Sequence, residues 1–356
     1  MKQLNQQPHA AIIGLGRIAW RMEDDPLRAK PCTHVGAYLK HGCRIQAGCD
    51  VDAKARREFG KRYSVEALYD DYHQMLAQQQ IDLLSITAYA TERHEMVMAA
   101  IKQNTPAIFC EKALATSLEQ ADEIVTALAY SNSTLVTGHM RRWSNDYQKV
   151  KGMIDNETIG RVLSVNVLFS GSLIHTGTHA FDLLHWWFGA PLSAQGRVIS
   201  KAKKNRQSGY RYSGKKLADG GGVGRIHFAN GVVATIEGQV KDYFIFEFDI
   251  VATKGRIRIG NDGLVLYRPA ASERMSGFDE LLPVTIETPP PAYEGTAWDA
   301  AVAALLGNEP CLQVASTAKE AGMALEMALA FYHSQQQGGI EVMFPLPRNG
   351  LSVASR

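Results

Sequence analysis

The chain has 356 residues, of which 46% are hydrophobic and 21% charged, and its formal net charge is +2. This length and composition predict a globular protein with two domains and sizeable apolar cores. The balance of 38 basic and 36 acidic residues argues against nucleic acid or an anionic membrane as partner, and no apolar run is long enough to cross a bilayer.

Residues 1–9 lack the apolar core of a signal peptide and are predicted to be a disordered lead-in. The five cysteines of the chain are odd in number and show no CxxC spacing. We therefore expect reduced thiols in a cytoplasmic protein, with no disulfide framework and no zinc site.

Between residues 10 and 138, apolar runs that are typical of strands alternate with segments of helical spacing. The predicted strands are 10–14, 44–50, 81–88, 107–111 and 134–138, and the predicted helices are 52–63, 71–79, 92–103 and 117–129. Strands separated by helices of this length predict an α/β domain with a doubly wound parallel sheet over residues 10–138.

The first predicted strand runs into Gly14, Gly16 and Ala19, which form a Gly-x-Gly-x-x-Ala motif. Such a motif gives a tight turn, room for a pyrophosphate and close packing of the next helix, whose N-terminus offers N–H groups to the phosphates. The N-terminal domain is therefore predicted to be a Rossmann domain that binds a dinucleotide.

Asp50 ends the second predicted strand, where a carboxylate can accept hydrogen bonds from ribose hydroxyls and would repel a 2′-phosphate. Because Asp52 is an equally good cap for the following helix, Asp50 is left for the ribose. NAD is the expected cofactor, and NADP is less favoured. The polar residues 20–32 lengthen the usual spacing to Asp50; they are predicted to be a surface insertion, with a flap over the site as the alternative.

Beyond residue 138 the pattern changes to short strands joined by turn signals. The predicted strands are 162–170, 197–202, 224–228, 232–238, 244–252, 256–259 and 264–267, and the predicted helices are 146–154, 180–188 and 315–334. Asn230 and Gly231 between two alternating runs are typical of a hairpin, and the basic stretch 201–216 is predicted to be an exposed loop. We expect an α+β C-terminal domain with a largely antiparallel open sheet over residues 139–356.

Four further motifs make the chain resemble the glucose–fructose oxidoreductase / inositol dehydrogenase family, Gfo/Idh/MocA. They are the helix that includes His94, the sequence Glu111-Lys112-Ala113, the segment from Arg141 to Tyr147, and the sequence Gly177-x-His179-x-x-Asp182. Ala113 stands where the family usually has proline. The resemblance implies reversible hydride transfer between a nicotinamide and a sugar, polyol or related cyclic alcohol, with the C-terminal domain binding substrate and mediating oligomerisation.

The resemblance implies that Lys112 is the general acid and base and that His179 assists it. The alternative interpretation of Lys112 is a surface lysine paired with Glu111. The implied cofactor contacts are Gly14, Gly16, Arg17, Ile18, Asp50, Thr87, His94, Glu111 and Lys112. The implied substrate contacts are His175, Asp182, Arg141, Arg142, Trp143 and Tyr147. At least one of the two arginines is expected to be structural, and packing is an equal alternative for Trp143 and Tyr147.

His175 departs from the family pattern, because polyol dehydrogenases of the family often carry an aspartate four residues before the histidine. Either proton transfer relies on Lys112 and His179 alone, or the substrate differs, for example by bearing a carboxylate or phosphate. A metal held by His175, His179 and Asp182 is a further alternative, but the resemblance requires no metal and none is predicted.

Two other functions fit the same motifs. One is an NAD-recycling enzyme of the glycosidase or lyase type, and the other is a non-catalytic dinucleotide-binding sensor. The expected partners are a small polar substrate and further copies of the chain in a homodimer or homotetramer, with neither nucleic acid nor membrane.

Overall fold

The computed structural model describes residues 7–199, 217–284, 293–307 and 315–355, with the side chains of 293–296 outside this description. The chain divides into two compact units. The first comprises Met1–Ser144, Ala292–Gly322 and Ser355–Arg356, and the second comprises Asn145–Pro291 and Met323–Ala354. Of the lead-in predicted over residues 1–9, residues 1–6 lie outside the described residues, and His9 already belongs to the first strand.

The first unit contains a six-stranded parallel sheet in the order β3-β2-β1-β4-β5-β6. Its strands are β1 (His9–Ile13), β2 (Arg44–Cys49), β3 (Ala67–Tyr69), β4 (Leu83–Ile86), β5 (Ala107–Cys110) and β6 (Thr134–Thr137). The helices between them are α1 (His34–Lys40), α2 (Ala53–Tyr63), α3 (Tyr72–Gln78), α4 (Ala90–Lys102) and α5 (Leu118–Ala129). The predicted doubly wound parallel sheet is confirmed, and its strand order reverses between β1 and β4, where ligands bind in such sheets.

Helix α8 (Tyr293–Leu306) completes the core of the first unit. Its Trp298 ring lies 4.7 Å from the His34 ring and 5.3 Å from the Phe109 ring, measured between centroids. This helix lies in the region that the sequence assigned to the C-terminal domain. The first unit is therefore discontinuous in sequence, because it includes residues 292–322 from the stretch that was expected to belong to the C-terminal domain.

The second unit contains a nine-stranded sheet in the order β15-β14-β13-β12-β7-β11-β10-β8-β16. Its strands are β7 (Val162–Ser170), β8 (Pro191–Ile199), β10 (Gly221–Phe228), β11 (Val233–Val240), β12 (Phe246–Ala252), β13 (Gly255–Gly260), β14 (Gly263–Ala271), β15 (Asp279–Val284) and β16 (Val342–Met343). All neighbours pair antiparallel except β7 and β11, so the prediction of a largely antiparallel sheet is confirmed. Two short strands, β9 (Leu217–Ala218) and β17 (Val353–Ala354), pair separately.

The helices of this part of the chain are α6 (Asn145–Asp155), α7 (Thr178–Phe188) and α9 (Ala318–Gln336), whose first residues belong to the first unit. Phe181 of α7 packs between Phe169 of β7 and Phe331 of α9, with ring centroids 6.3 and 5.8 Å away. These aromatic contacts hold α7 against the sheet. In the described part of the chain, no helix is both long and apolar enough to span a membrane.

Three expectations for the second half can be compared with the described residues. The strand predicted over 197–202 is β8, which begins at Pro191; residues 200–202 and the loop predicted over 201–216 are not described. The predicted hairpin is observed, with Gly231 at a φ of +86° between β10 and β11.

Candidate functional site

The turn after β1 carries the predicted phosphate-binding glycines. Gly14 has a φ of +89°, and a Cβ at this position would lie 2.7 Å from the backbone nitrogen of Ala88, so glycine is required. A Cβ on Gly16 would meet no heavy atom within 4 Å. The Thr87 hydroxyl donates to the carbonyls of Gly14 and Ile13 and so holds this turn against β4. The turn is closely packed at Gly14 and leaves open space at Gly16.

Asp50 connects the end of β2 to the glycine turn. Its Oδ2 accepts the Leu15 amide at 2.7 Å and its Oδ1 accepts the Asp52 amide at 2.9 Å. Asp52 caps α2 by accepting the Lys54 amide at 2.8 Å, so the capping role belongs to Asp52. The Arg56 guanidinium donates to the Asp50 carbonyl at 2.6 Å. A carboxylate thus lies against the turn where a bound dinucleotide would place its adenosine ribose.

The other predicted cofactor contacts in this unit have different surroundings. Arg17 is exposed, and Ile18 is half-buried against the core. His94 lies in α4, and its Nε2 is 2.7 Å from the Glu123 carboxylate of α5. That pair joins two helices, which supports a structural role for His94.

The insertion over residues 20–32 folds upon itself. Lys30 Nζ donates to the carbonyls of Met22 and Asp25 at 3.2 and 2.8 Å. Leu27 at the tip is almost fully exposed. These contacts favour a closed surface insertion.

Lys112 follows β5 in a segment held by two buried ionisable side chains. Glu111, which is 7% exposed, accepts the Lys112 amide through Oε2 at 3.2 Å. Arg93 of α4, which is 4% exposed, donates from Nη1 to the Ala113 carbonyl at 2.5 Å. The Lys112–Ala113 peptide bond is cis. The backbone on both sides of Lys112 is therefore fixed by charged groups, whose hydrogen bonds are stronger than neutral ones.

Glu111 also belongs to a buried chain of polar side chains that no sequence motif marks. His34 Nε2 lies 3.4 Å from Glu111 Oε1, and His34 Nδ1 lies 2.7 Å from Ser85 Oγ. The Tyr38 hydroxyl in turn contacts Ser85 Oγ. His34, Ser85 and Tyr38 are fully buried. The one local signal for this chain is Ser85, a polar residue inside the apolar run of β4.

The protonation states of Glu111 and His34 set the direction of the hydrogen bonds among these buried side chains. Burial opposes ionisation of Glu111, but the hydrogen bond from His34 and the positive charges of Lys112 and Arg93 outweigh burial and lower the pKa of Glu111 to about 2. Burial lowers the pKa of His34, so its imidazole is neutral at pH 7. Because an ionised carboxylate attracts an N–H, the His34 proton lies on Nε2, 3.4 Å from Glu111 Oε1. Ser85 then donates to His34 Nδ1, and Tyr38 donates to Ser85.

The predicted substrate contacts on the 3-10 turn Met140–Trp143 belong to the first unit. Arg142 is buried and forms an ion pair with Glu320 in the first turn of α9. Trp143 is part of the buried core of this unit. These contacts favour a structural role for Arg142 and packing for Trp143, and Arg141 is buried as well.

The second unit carries the remaining predicted residues on and around α7. His179 is half-buried near the start of the helix, and Asp182 is buried one turn later, on the same face. His175 is exposed and lies in the π-helical turn Leu173–Gly177 that precedes α7. Tyr147 stacks on Trp187 at 6.1 Å between centroids, inside the core, which favours packing for Tyr147.

Asp219 holds the turn in front of His179. Its Oδ1 accepts the Ile174 amide at 2.9 Å, and its Oδ2 accepts the Ser172 hydroxyl at 2.6 Å and the His175 amide at 2.9 Å. A cavity of about 710 Å³ opens beside it, and its lining includes Asp219 and Tyr243. Within the described ranges, no group of three or more His, Cys, Asp and Glu side chains is arranged to hold a metal ion.

Two models of one protein family match the chain. The model described as an oxidoreductase family with an NAD-binding Rossmann fold, GFO_IDH_MocA, matches residues 9–139. The model of the GFO/IDH/MocA C-terminal domain matches residues 168–258. Together the two matches cover more than half of the chain.

Among curated proteins, the chain is 28% identical over 190 residues to inositol 2-dehydrogenase of Salmonella typhimurium. The match covers 50% of this chain and 53% of the relative, so the chain spans about half the length of that protein.

Two solved structures show the same fold over nearly the whole chain. Levoglucosan dehydrogenase in complex with NADH and L-sorbose superposes with a TM-score of 0.76 at 17% identity, covering 96% of this chain and 100% of that one. The WlbA dehydrogenase of Bordetella pertussis, in complex with NADH and UDP-GlcNAcA, superposes with a TM-score of 0.73 at 19% identity, covering 96% and 100%.

Proposed function

The chain belongs to the Gfo/Idh/MocA family of oxidoreductases, with an NAD-binding Rossmann domain as its first unit, and from this premise we propose that it is an NAD-dependent dehydrogenase. The proposed reaction transfers hydride between the CH–OH carbon of a sugar, polyol or related cyclic alcohol and the nicotinamide. The observation that carries this proposal is Lys112, held at the carboxyl end of β5 in the sheet whose glycine turn is open at Gly16. Ligands bind at the carboxyl ends of strands in such sheets.

The glycine turn and Asp50 are proposed to hold NAD. The open space at Gly16 suits the pyrophosphate, and the Asp50 carboxylate suits the adenosine ribose hydroxyls. When bound, the nicotinamide supplies the hydride acceptor or donor.

Lys112 is proposed to accept the hydroxyl proton through Nζ as hydride leaves the same carbon, and to return that proton in the reverse direction. Its fixed backbone supports this role, because a general base must be held in reach of the proton it removes. His179 is proposed to assist proton transfer, with its helix start held in place by the turn that Asp219 anchors.

The substrate class is proposed from the relatives, whose structures contain L-sorbose and UDP-GlcNAcA, both rich in hydroxyl groups. His175 adds no fixed negative charge where polyol dehydrogenases of the family often carry aspartate. Sugar acids therefore belong in the substrate panel beside inositols, aldoses and cyclic diols.

The first test is Lys112→Ala, with Lys102→Ala on the exposed end of α4 as the matched control. Turnover should fall by at least about a hundredfold to a thousandfold in Lys112→Ala, since a general base is lost, and should stay unchanged in the control. NADH binding, followed by fluorescence, should be largely kept in both. Near-normal turnover of Lys112→Ala would remove Lys112 from the mechanism.

NADH formation across the substrate panel tests the reaction itself. A substrate-dependent rise with NAD supports the dehydrogenase. A flat trace across the panel from protein that binds NAD would contradict it and favour internal cofactor recycling or a sensor.

We also propose a cytoplasmic homodimer or homotetramer. Cys43, Cys49 and Cys110 are buried and form no disulfide, which suits a reducing compartment. Light scattering during gel filtration would contradict the oligomer if the chain eluted as a monomer.

A further inference from the structure

The proposed function gives no role to the buried polar chain Tyr38–Ser85–His34 beneath Lys112. Buried polar groups destabilise a core unless they are hydrogen-bonded. Here Tyr38 and His34 are both hydrogen-bonded to Ser85, and His34 Nε2 lies 3.4 Å from Glu111 Oε1. A core that required packing alone could use apolar side chains at all three positions. The buried polar chain ends on Glu111, whose carboxylate accepts the Lys112 amide.

Glu111 is clamped through both of its oxygens. Oε1 faces His34 Nε2, and Oε2 accepts the Lys112 amide. The His34 ring is itself packed against the rings of Phe109 and Trp298, with centroids 4.4 and 4.7 Å away. The His34 imidazole is therefore held by two aromatic rings as well as by its hydrogen bond with Ser85.

Gly138, directly after β6, provides the space for this carboxylate. A Cβ on Gly138 would lie 2.9 Å from Glu111 Oε1 and 3.1 Å from Glu111 Cδ. A side chain there would push Glu111 away from His34, so the clamp requires glycine on this side.

The buried polar chain is not a route for protons to solvent. Tyr38 at its far end is fully buried, and burial raises the pKa of its hydroxyl above the usual range. These hydrogen bonds run in one direction and end on a buried hydroxyl. They therefore fix the orientation of the side chains and do not carry protons.

We infer that His34 and Gly138 are positioning residues that fix the Glu111 carboxylate, and that Glu111 in turn fixes the backbone from which Lys112 projects. The effect of this clamp on turnover rests on the proposed function, because it assumes that Lys112 transfers the proton. The effect of the clamp on the Lys112 backbone is independent of the proposed function.

The test is amide hydrogen exchange at Lys112 in full-length His34→Leu and His34→Gln. Exchange should be at least about tenfold faster in His34→Leu, because the Lys112 amide then donates to a carboxylate that has lost its contact with the His34 imidazole. His34→Gln restores an N–H donor and should lie closer to the wild type. Phe59→Leu is the control, because Phe59 is equally buried in the same unit but packs against Trp20 and Tyr63.

Gly138→Ala gives an independent variant should His34→Leu fail to fold, and it should also speed exchange at Lys112. Turnover of folded, cofactor-saturated His34→Leu should fall by about tenfold to a hundredfold, with the KM for NAD within about threefold. Exchange at Lys112 that is unchanged in His34→Leu and Gly138→Ala, or that is equally fast in Phe59→Leu, would overturn the inference. Loss of activity in Lys112→Ala judges the proposed function separately.

Discussion

Asp50 joins two roles in one carboxylate, since it accepts the Leu15 amide of the glycine turn and is proposed to bind the ribose. Asp50→Asn keeps an acceptor oxygen but removes the charge that repels a 2′-phosphate. We expect the preference for NAD over NADP to fall by about tenfold or more in this variant, as the dissociation constants measured by calorimetry would show. Asp52→Asn, which alters only the cap of α2, is the control.

An unchanged ratio of the two dissociation constants in Asp50→Asn would contradict the ribose assignment. Weaker binding of both cofactors by the same factor would indicate that Asp50 acts through the glycine turn alone.

Glu111 also makes the stability of the first unit depend on pH. Its folded pKa of about 2 lies below its usual 4.5. A lowered folded pKa contributes stability above pH 4.5, and that contribution is lost as the pH falls toward 2. We therefore expect the difference in unfolding free energy between the wild type and Glu111→Gln to shrink from pH 5 to pH 2. Urea denaturation across this range measures the difference, and a constant difference would refute the assignment.

Sequence patterns can predict a functional side chain when it lies in a short motif at the end of a strand. Gly14, Gly16, Asp50 and Lys112 lie in short motifs at strand ends, so the sequence around each of them marks its position. His34 and Ser85 are 51 residues apart and meet only when the sheet forms, so spacing carries no signal for them. The resemblance likewise identified the segment of Arg142 and Trp143 but not which side chains turn inward.

The glycine turn offers a matched pair of substitutions with opposite expectations. Gly14→Ala forces a Cβ into a positive φ and against Ala88, so it should destabilise the first unit by about 1 kcal/mol or more. Gly16→Ala meets no protein atom, so thermal stability should stay near the wild type while NAD affinity falls, because the methyl group occupies space proposed for the phosphates. Thermal unfolding and calorimetric titration with NAD separate the two effects. Full NAD affinity in Gly16→Ala would place the pyrophosphate elsewhere.

Strands that are buried on both faces were the easiest elements to predict. Apart from His9 and Ser85, β1, β4 and β5 read as apolar runs, because helices cover both faces of a parallel sheet. β15 is almost entirely exposed, so it carries no alternation of polar and apolar residues and was missed. β3, with three half-buried residues, was too short to give any pattern.

The path of the chain was not predicted, since α8 lies in the first unit although in sequence it stands between the two segments of the second unit. Composition and periodicity describe contiguous segments, and they carry no information about which sheet a later helix will cover. Trp298 on Phe109 and the pair of Arg142 with Glu320 are the contacts that bring residues 292–322 back.

A chain truncated after Ser144 should therefore fail to form a stable first unit. It would lose α8 and leave Arg142 without Glu320. In the full chain, Trp298→Ala should lower the stability of this unit by about 3–5 kcal/mol, as for other large-to-small changes in a core. Thermal unfolding and the dispersion of amide NMR signals measure both. A cooperative, NAD-binding product from residues 1–144 would contradict the role given to α8.

The discontinuous first unit has a consequence for the order in which the protein is made. The ribosome delivers the six strands of the nucleotide-binding sheet first, yet Trp298 and Glu320 follow only after residues 145–291 have been synthesised. At roughly 5–20 residues per second, the delay between Ser144 and Gly322 is roughly ten to thirty-five seconds. During that interval the nascent sheet exposes the apolar surface around Phe109, which α8 later covers. We expect the growing chain to be a substrate for chaperones in this window and to capture its dinucleotide only near the end of translation.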